Sequence, residues 1–329
     1  QFVHTLLSLF LRLLSSFFRF LLLIRIYGKY LCELGEYNKD LVVLDADLAS
    51  STKSGMFAEK YPNRFYNCGI AEYAMFGMAA GLAIRGKIPF ANTFSVFIST
   101  LGALPARQLM SYSGLNMKLI GGYGGMSDAF DGPSHHSLED LAIMRAMSGV
   151  ITLVASDNRL TRWALKTCVD HKGPMYLRLS RNEFPDLYTD DTQFELGKAQ
   201  IVRDGQDATV IACGVMVSKA LEAAAILEKE GISLRVVDMF TIKPIDAEMI
   251  ERCAAETGAI VTAEEHNIIG GLGGAVAEVL AECNCKATFG RVGLRDTHAE
   301  SGAYEQLLKK YGLDAEAVAR KVHEAIAKK

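Results

Sequence analysis

From residue 41 onward, short apolar runs alternate with longer amphipathic stretches. A strand of a parallel sheet is buried on both faces and reads as a continuous apolar run, whereas a covering helix is apolar on one face only. The alternation therefore predicts an α/β fold in which helices cover parallel sheets. In the first part of the chain, the predicted strands are 41–45, 64–66, 88–92, 117–121, 151–155 and 175–179, and the predicted helices are 71–85, 96–112, 138–148 and 159–171.

A polar stretch, RNEFPDLYTDDTQFELG, breaks this pattern with a proline, several acids and no periodicity. Such a composition is typical of a linker or a long connection. A second βα series follows, with predicted strands 208–213, 234–238, 259–263 and 287–294 and predicted helices through Glu222 and Lys229, from Asp246, after the glycines at 270–274, and at 314–328. We therefore predict two doubly wound α/β domains, residues 27–188 and residues 189–329.

Residues 1–26 form an atypical apolar segment, QFVHTLLSLFLRLLSSFFRFLLLIRI, which contains no acid. A membrane anchor needs about 20 nearly uncharged residues, and Arg12, Arg19 and Arg25 interrupt this one. Three interpretations stay open: an amphipathic helix packed on a partner, an anchor or signal sequence, and residues that do not represent the natural sequence. We expect no membrane partner.

The charge balance argues against nucleic acid as a partner. The net charge is −3, and no Lys/Arg stripe is present to neutralise a phosphate backbone. The seven cysteines lie far apart except for one C-x-C pair, a spacing that fits neither a usual zinc site nor a thioredoxin-type motif. We therefore predict reduced cysteines, no metal site on this chain and a cytoplasmic protein.

Two candidate motifs occur where a predicted strand meets a helix. In N-C-G-I-A-E-Y-A-M, Glu72 stands in the first turn of a predicted helix among apolar neighbours. A carboxylate there could have a function, or it could simply complement the helix dipole. In P-F-A-N-T-F-S-V-F, Phe94 and Phe97 lie three residues apart, so that a helix would place them on one face. They could form the wall of a pocket for a flat ring, although core packing explains a single Phe equally well.

Two further motifs follow predicted strands. D-G-P-S-H-H, from Asp131 to His136, follows a glycine-rich loop, and open α/β sheets place ligands at the carboxyl ends of their strands. Arg181, after the strand 175–179, could bind a phosphate through paired hydrogen bonds or could be an ordinary surface charge. The glycine cluster at 270–274 lacks the full G-x-G-x-x-G spacing, so we interpret it as a tight turn.

Together, the order and spacing of these motifs resemble the carboxyl-terminal half of transketolase, from about residue 27 to the end. The segments that carry the resemblance are DADLASS (45–51), GIAEYAM (69–75), PFANTFSVF (89–97), DGPSHH (131–136), LSRN (179–182) and EEHNIIGGLGG (264–274). The resemblance implies that residues 27–188 form the pyrimidine-binding domain of a thiamine-diphosphate enzyme and residues 189–329 the transketolase C-terminal domain. The implied reaction transfers a two-carbon ketol unit from a ketose or its phosphate to an aldose or its phosphate.

The resemblance also implies roles in the cofactor site. Glu72 would be catalytic and would hydrogen-bond the aminopyrimidine ring nitrogen. A carboxyl group in an apolar pocket keeps its proton near neutral pH and can donate it to such a nitrogen. Phe97 would stack on the ring and Phe94 would line it. Asp47 would lie near the thiazolium.

In the implied substrate site, His135 and Asp131 would contact sugar hydroxyls, and His135 would move protons during carbon–carbon cleavage. Ser51 and Arg181 would hold a terminal phosphate. Tyr123 would meet the substrate where transketolases usually have a histidine, as it does in deoxyxylulose-phosphate synthases.

The family's diphosphate- and magnesium-binding motif, G-D-G, does not occur in this chain. The resemblance therefore implies that Mg and the diphosphate are bound by a partner, an N-terminal diphosphate-binding subunit, in an α2β2 heterotetramer that acts on sugar phosphates. Tyr123, Phe130 and Thr100 depart from the usual transketolase pattern and leave the sugar and its anionic end group open. The alternatives are a deoxyxylulose-phosphate synthase, a 2-oxo-acid dehydrogenase β-subunit and a non-catalytic scaffold subunit.

Overall fold

The computed structural model describes residues 23–182, 184–283 and 285–329. Predictions for residues 1–22 therefore lie outside the described residues. The first described helix, Leu23–Tyr37 (α1), begins within the apolar segment and buries Tyr27, Leu31 and Leu34. Among the helices that the structure describes, none is both long enough and apolar enough to span a bilayer.

Seven strands form the first sheet. Six come from the first part of the chain and run parallel: Leu41–Asp45 (β1), Phe65–Asn67 (β2), Ile88–Phe94 (β3), Lys118–Gly122 (β4), Ile151–Val154 (β5) and Met175–Arg178 (β6). Their order across the sheet is β5-β6-β4-β3-β1-β2. All six strands predicted for this part of the chain are present, with shifts of one or two residues at some ends.

Apolar side chains alternate between the two faces of this sheet. On β1, Val43 packs in the same buried cluster as Phe90, whereas Leu44 packs in another cluster with Ala91. Helices cover both faces, which confirms the predicted α/β fold class. The helices of this part of the chain are α1, Ala49–Thr52 (α2), Gly55–Lys60 (α3), Glu72–Ile84 (α4), Ser95–Ser99 (α5), Ala103–Pro105 (α6), Asp140–Ala146 (α7) and Asn158–Asp170 (α8), with short 3₁₀ turns at Pro62–Arg64 and Gly132–Ser134.

The single helix predicted over 96–112 is wrong. Helix α5 ends at Ser99, α6 follows after Gly102, and Ala106–Tyr112 is a π-helix. Gly102 packs so tightly that a Cβ there would lie 2.5 Å from the Phe76 ring, and Pro105 has no N–H to donate to a preceding turn. These two residues divide the apolar stretch into three short pieces.

The second sheet has five strands, Gln200–Arg203 (β7), Ala208–Ala212 (β8), Leu234–Asp238 (β9), Ala259–Asn267 (β11) and Thr288–Leu294 (β12), in the order β12-β11-β8-β9-β7. Its helices are Val215–Glu228 (α9), Ala247–Thr257 (α10), Leu272–Glu282 (α11), Tyr304–Lys310 (α12) and Ala315–Ile326 (α13). Strand Thr241–Lys243 (β10) leaves this sheet and pairs antiparallel with β5 at the edge of the first sheet. Sequence analysis predicted neither β7 nor β10.

Strand β10 lies in the second part of the chain but pairs with the first sheet, so it connects the two predicted domains. The boundary between residues 188 and 189 stays a prediction. A second connection across it is Asp238, whose fully buried carboxyl group accepts hydrogen bonds from the hydroxyls of Ser156 and Tyr188, the latter at 2.7 Å. Burial raises the pKa of Asp238 to about 7.

Because of Asp238, we predict that the folded protein loses stability as the pH rises. Between about pH 4 and pH 7, only the unfolded state releases this proton, so the free energy of unfolding falls through that window and levels off above it. In Asp238→Asn, the difference in unfolding free energy between pH 5 and pH 8 should be smaller than in the wild type by about 2 to 3 kcal/mol. Denaturant titrations measure it. The exposed Asp191→Asn is the control, and equal pH dependence in Asp238→Asn and the wild type would contradict the assignment.

The cysteines only partly follow the prediction that all are reduced. Five carry free thiols: Cys32, Cys68, Cys168, Cys213 and Cys253. Cys283 and Cys285 form a disulfide, so the prediction is wrong for the C-x-C pair. Their Cα atoms lie 5.3 Å apart, within the range that a disulfide bridges.

Candidate active site

The candidate residues gather at one edge of the first sheet because the sheet is parallel. Strands β1, β3, β4 and β6 are neighbours, so their carboxyl ends meet at the same edge. Asp47, Phe94, Tyr123 and Arg181 lie at or just beyond these four ends. A parallel sheet thus collects side chains that are far apart in sequence.

Aromatic rings form a continuous wall at this edge. The Phe94 ring stacks on the Tyr123 ring, with centroids 4.1 Å apart, and lies nearly parallel to the Phe97 ring at 5.9 Å. His135 meets the Phe97 ring edge to face at 5.5 Å. Phe94 ends β3 and Phe97 belongs to α5, so the strand-to-helix junction positions both. Since Phe97 is only partly buried, its ring can offer a face to a ligand.

Glu72 is the first residue of α4, and only 6% of its surface is exposed. The Thr93 hydroxyl, next to Phe94 in sequence, donates to its Oε1 at 3.3 Å. A carboxyl group and an aromatic face at one strand end suit an aminopyrimidine, which stacks on an aromatic face and pairs through a ring nitrogen. The residues present therefore fit the pyrimidine of thiamine diphosphate.

Tyr123 adopts a backbone conformation that is unusual for a residue with a side chain, with φ +59°. Such strain persists only where surrounding contacts enforce it. Here the ring is held between Phe94 and the guanidinium of Arg181, which lies 5.2 Å from the ring centroid. Ser51 lies beside the Tyr123 hydroxyl, and burial raises the pKa of that hydroxyl.

Arg181 is half exposed and pairs at 2.8 Å with Asp128, whose side chain is buried. Burial raises the pKa of Asp128, the nearby Asp131 raises it further, and Arg181 opposes both effects. Asp128 was missed by sequence analysis, although it lies only three residues before Asp131 in the same polar loop. The predicted phosphate-binding arginine thus has a carboxylate partner within its own chain.

The remaining candidates lie around this group. Asp131 is exposed, and the ring Nδ1 of His135 is 2.9 Å from the Ser134 hydroxyl. Asp47 also has positive φ, +64°, and its carboxylate accepts a hydrogen bond from Asn67 at the end of β2. Contacts therefore bring six of the predicted residues together: Ser51, Phe94, Phe97, Tyr123, His135 and Arg181. Asp47 shares only the sheet edge with them.

Sequence analysis also missed a buried charged group behind this wall. Arg178 and Asp140 form an ion pair at 3.2 Å, and Glu265 from the second sheet lies against the loop that follows Tyr123. Arg178 sits inside a predicted strand and Glu265 in a different domain, so only the fold brings them to the site. In the ranges 23–182, 184–283 and 285–329, no three His, Cys, Asp or Glu side chains are grouped as a metal site would require.

Comparison with known proteins assigns a family to both parts of the chain. Residues 23–186 match the model of the transketolase pyrimidine-binding domain, and residues 197–318 match that of the transketolase C-terminal domain. The chain is similar to a solved structure described as a split gene transketolase, inactive β4 tetramer, with 44% identity and a TM-score of 0.84 over 93% of this chain and 98% of that one.

Two relatives of known description are similar over nearly their whole length. The 6-deoxy-6-sulfo-D-fructose transketolase subunit SqwH of Clostridium sp. (strain MSTE9) is 39% identical over 92% of this chain and 94% of its own. A subunit of the apulose-4-phosphate transketolase of Phocaeicola vulgatus is 38% identical over 91% of this chain and 95% of its own. With both domain models matched in order and the fold shared, the chain belongs to the transketolase family.

Proposed function

We propose that this chain is the pyrimidine-binding subunit of a split, thiamine-diphosphate-dependent transketolase and that it acts only with a diphosphate-binding partner subunit. The observation that carries the proposal is the placement of Glu72, a nearly buried carboxyl group at a helix start that accepts a hydrogen bond from Thr93, in the strand that ends at Phe94. Because the sequence contains no G-D-G, we attribute the binding of Mg and the diphosphate to the partner in this proposal.

The protein's own residues bind and orient the reactants in this proposal. Glu72 hydrogen-bonds the aminopyrimidine nitrogen, and Phe97 offers its partly exposed ring for stacking. Bound thiamine diphosphate supplies the nucleophilic carbon and the electron sink for cleaving and transferring a ketol unit. His135, at the edge of the Phe97 ring, is close enough to the same pocket to move a proton to or from the sugar.

The surface beside Glu72 supports the need for a partner. Helix α4 is apolar around its whole circumference, and Tyr73 and Met78 on its outer face are 59% and 43% exposed. A Cβ added at Gly77 or Gly81 on that face would meet nothing within 4 Å. An apolar helix face with open glycines allows another chain to approach closely. We assign it to the diphosphate-binding subunit, in an assembly of two such heterodimers.

Relatives of this chain support a family of split enzymes but differ in substrate. One acts on a sulfonated ketose and another on a phosphorylated one, according to their names. An anionic end group is common to both, and Arg181 beside Tyr123 is suited to bind it. We also propose that the complex is cytoplasmic, because five of the seven cysteines carry free thiols, although Cys283 and Cys285 form a disulfide.

Arg181→Ala should weaken substrate binding selectively. The lost charge-assisted hydrogen bonds should raise KM for a phosphorylated ketose donor by about tenfold or more and lower kcat much less. Steady-state kinetics of the reconstituted complex, with an unphosphorylated donor for comparison, measure this. Arg159→Ala, a surface arginine paired with Asp190, is the matched control. Equal effects on both donors would contradict the assignment of Arg181 to an anionic group.

A further inference from the structure

Glu265, in strand β11 of the second sheet, reaches into the first domain behind the substrate site. Its Oε1 accepts a hydrogen bond from the backbone N–H of Met126 at 2.8 Å. A Cβ on the preceding Gly125, whose φ is +67°, would lie 2.3 Å from the carboxyl carbon of Glu265. The carboxyl group therefore fills space that only a glycine leaves open. The two residues that it contacts, Gly125 and Met126, follow Tyr123 by two and three positions.

The same contact reaches the loop that carries His135. Gly125 and Ser137 exchange two backbone hydrogen bonds, from Gly125 N–H at 3.2 Å and from Ser137 N–H at 2.8 Å. His135 is two residues before Ser137, as Tyr123 is two residues before Gly125. A carboxyl group that fixes Gly125 and Met126 thus fixes both the loop that carries Tyr123 and the loop that carries His135.

Arg178 braces this arrangement from the first sheet. Its Nη2 donates to the backbone carbonyls of Ser137 and Glu265, at 3.1 Å and 2.8 Å, and its side chain packs against Gly124. Asp140 holds the guanidinium from the other side. A buried cation with several acceptors is fixed in position, because moving away from any one acceptor would leave a buried charge without that partner.

We propose that Glu265 is a positioning residue of the active site, through which the second domain holds the Tyr123 loop and the His135 loop in register. The inference rests on the proposed function for its catalytic consequence, but the contacts that define it lie within this chain.

Ionisation of Glu265 would set the strength of this contact. Burial raises its pKa to about 7, against the opposing effect of Arg178. The groups that face it are Arg178 on β6, the Met126 N–H, Tyr304 on α12 and the more distant Asp140 on α7. A cavity of about 20 Å³ between Arg178 and Glu265 is large enough for one water. Because burial makes the charged form costly, the contact is fully present below pH 7 and weakens as Glu265 ionises, so both loops should be better ordered below pH 7 than above it.

Hydrogen exchange of the full chain tests this without a partner. Glu265→Gln keeps a carbonyl acceptor and the volume but cannot ionise, so at pH 8 amides in 121–126 and 135–138 should exchange about tenfold more slowly than in the wild type. At pH 6, after correction for intrinsic rates, the difference should shrink because the wild-type carboxyl group is then protonated. A difference independent of pH, or no difference, would overturn the proposal.

Glu264→Gln is the matched control. Glu264 is equally buried and accepts hydrogen bonds from Leu272 and Gly273, which belong to its own domain, so its replacement should leave exchange in 121–138 unchanged. Equal effects of the two variants would reduce Glu265 to a general role in stability.

In the complex with the partner subunit, we expect the wild-type kcat/KM to fall as the pH rises through 7, and Glu265→Gln should remove that fall. An unchanged pH profile would overturn the catalytic part of the inference. A wild-type complex with no ketol transfer would instead refute the proposed function, while the exchange result would still decide whether Glu265 holds the loops.

Discussion

Replacing Glu72 by Ala should lower ketol transfer by the reconstituted complex by about 10³-fold or more. The buried carboxyl group is the only ionisable residue of the described chain that we assign to the cofactor's ring nitrogen, and a positioned proton donor or acceptor typically contributes 10² to 10⁴ to the rate. Glu72→Gln retains the volume and a hydrogen bond but not the proton, so its activity should be nearly as low. Coupled assays of two-carbon transfer measure the effect.

The variant must remain folded and assembled for this result to bear on chemistry. Circular dichroism and size-exclusion chromatography with the partner should match the wild type, because the one hydrogen bond that the Glu72 side chain accepts from the described residues is the weak bond from Thr93. Glu59→Ala, an exposed glutamate on α3, is the control and should keep full activity. Turnover of Glu72→Ala within tenfold of the wild type would remove Glu72 from the mechanism.

Gly77→Arg should abolish activity by a different route, through loss of the partner. Among the described residues, a Cβ at this position meets nothing within 4 Å, and replacing a helical glycine favours the helix by up to about 1 kcal/mol, so the subunit should fold at least as well. On the outer face of α4, however, a long cation would be forced into an apolar interface. We expect binding to the partner, measured by calorimetry, to weaken by about 100-fold or more, and activity at low subunit concentration to disappear with it.

Ala255→Arg, on the exposed face of α10, serves as the control because it adds the same side chain to a helix of the second domain. Full association of Gly77→Arg with the partner would show that the outer face of α4 is not the interface. Because Glu72→Ala should leave assembly intact and Gly77→Arg should destroy it, the two variants separate the chemistry of the site from its completion.

The sequence predicted those parts of the fold whose signals are local. Strand β1 reads LVVLD and is buried on both faces, so its period and length were enough. Strand β10 has three residues, and what makes it a strand is its pairing with β5, a tertiary contact without a local pattern. The helix predicted through 112 failed for the opposite reason, because its apolar periodicity concealed the close packing at Gly102.

The site shows the same division. Phe94 and Phe97 could be placed on one wall from their spacing, and the parallel sheet then brought Tyr123 and His135 to it. The partner of Arg181 and the contact of Glu265 with Met126 depend on side-chain directions that sequence spacing does not contain. Glu265 in particular stands in a segment that resembled the family, yet nothing in the residues around it indicated that it faces the other domain.

The central claim is that this chain supplies half of an active site. The most direct measurement is to isolate the chain from its native cells under gentle conditions, identify proteins that copurify, and assay bound thiamine diphosphate by thiochrome fluorescence together with two-carbon transfer. The account predicts a stoichiometric partner that carries G-D-G, bound cofactor, and transfer that disappears when the two subunits are separated. A chain that purifies alone, without cofactor or transfer, would contradict it.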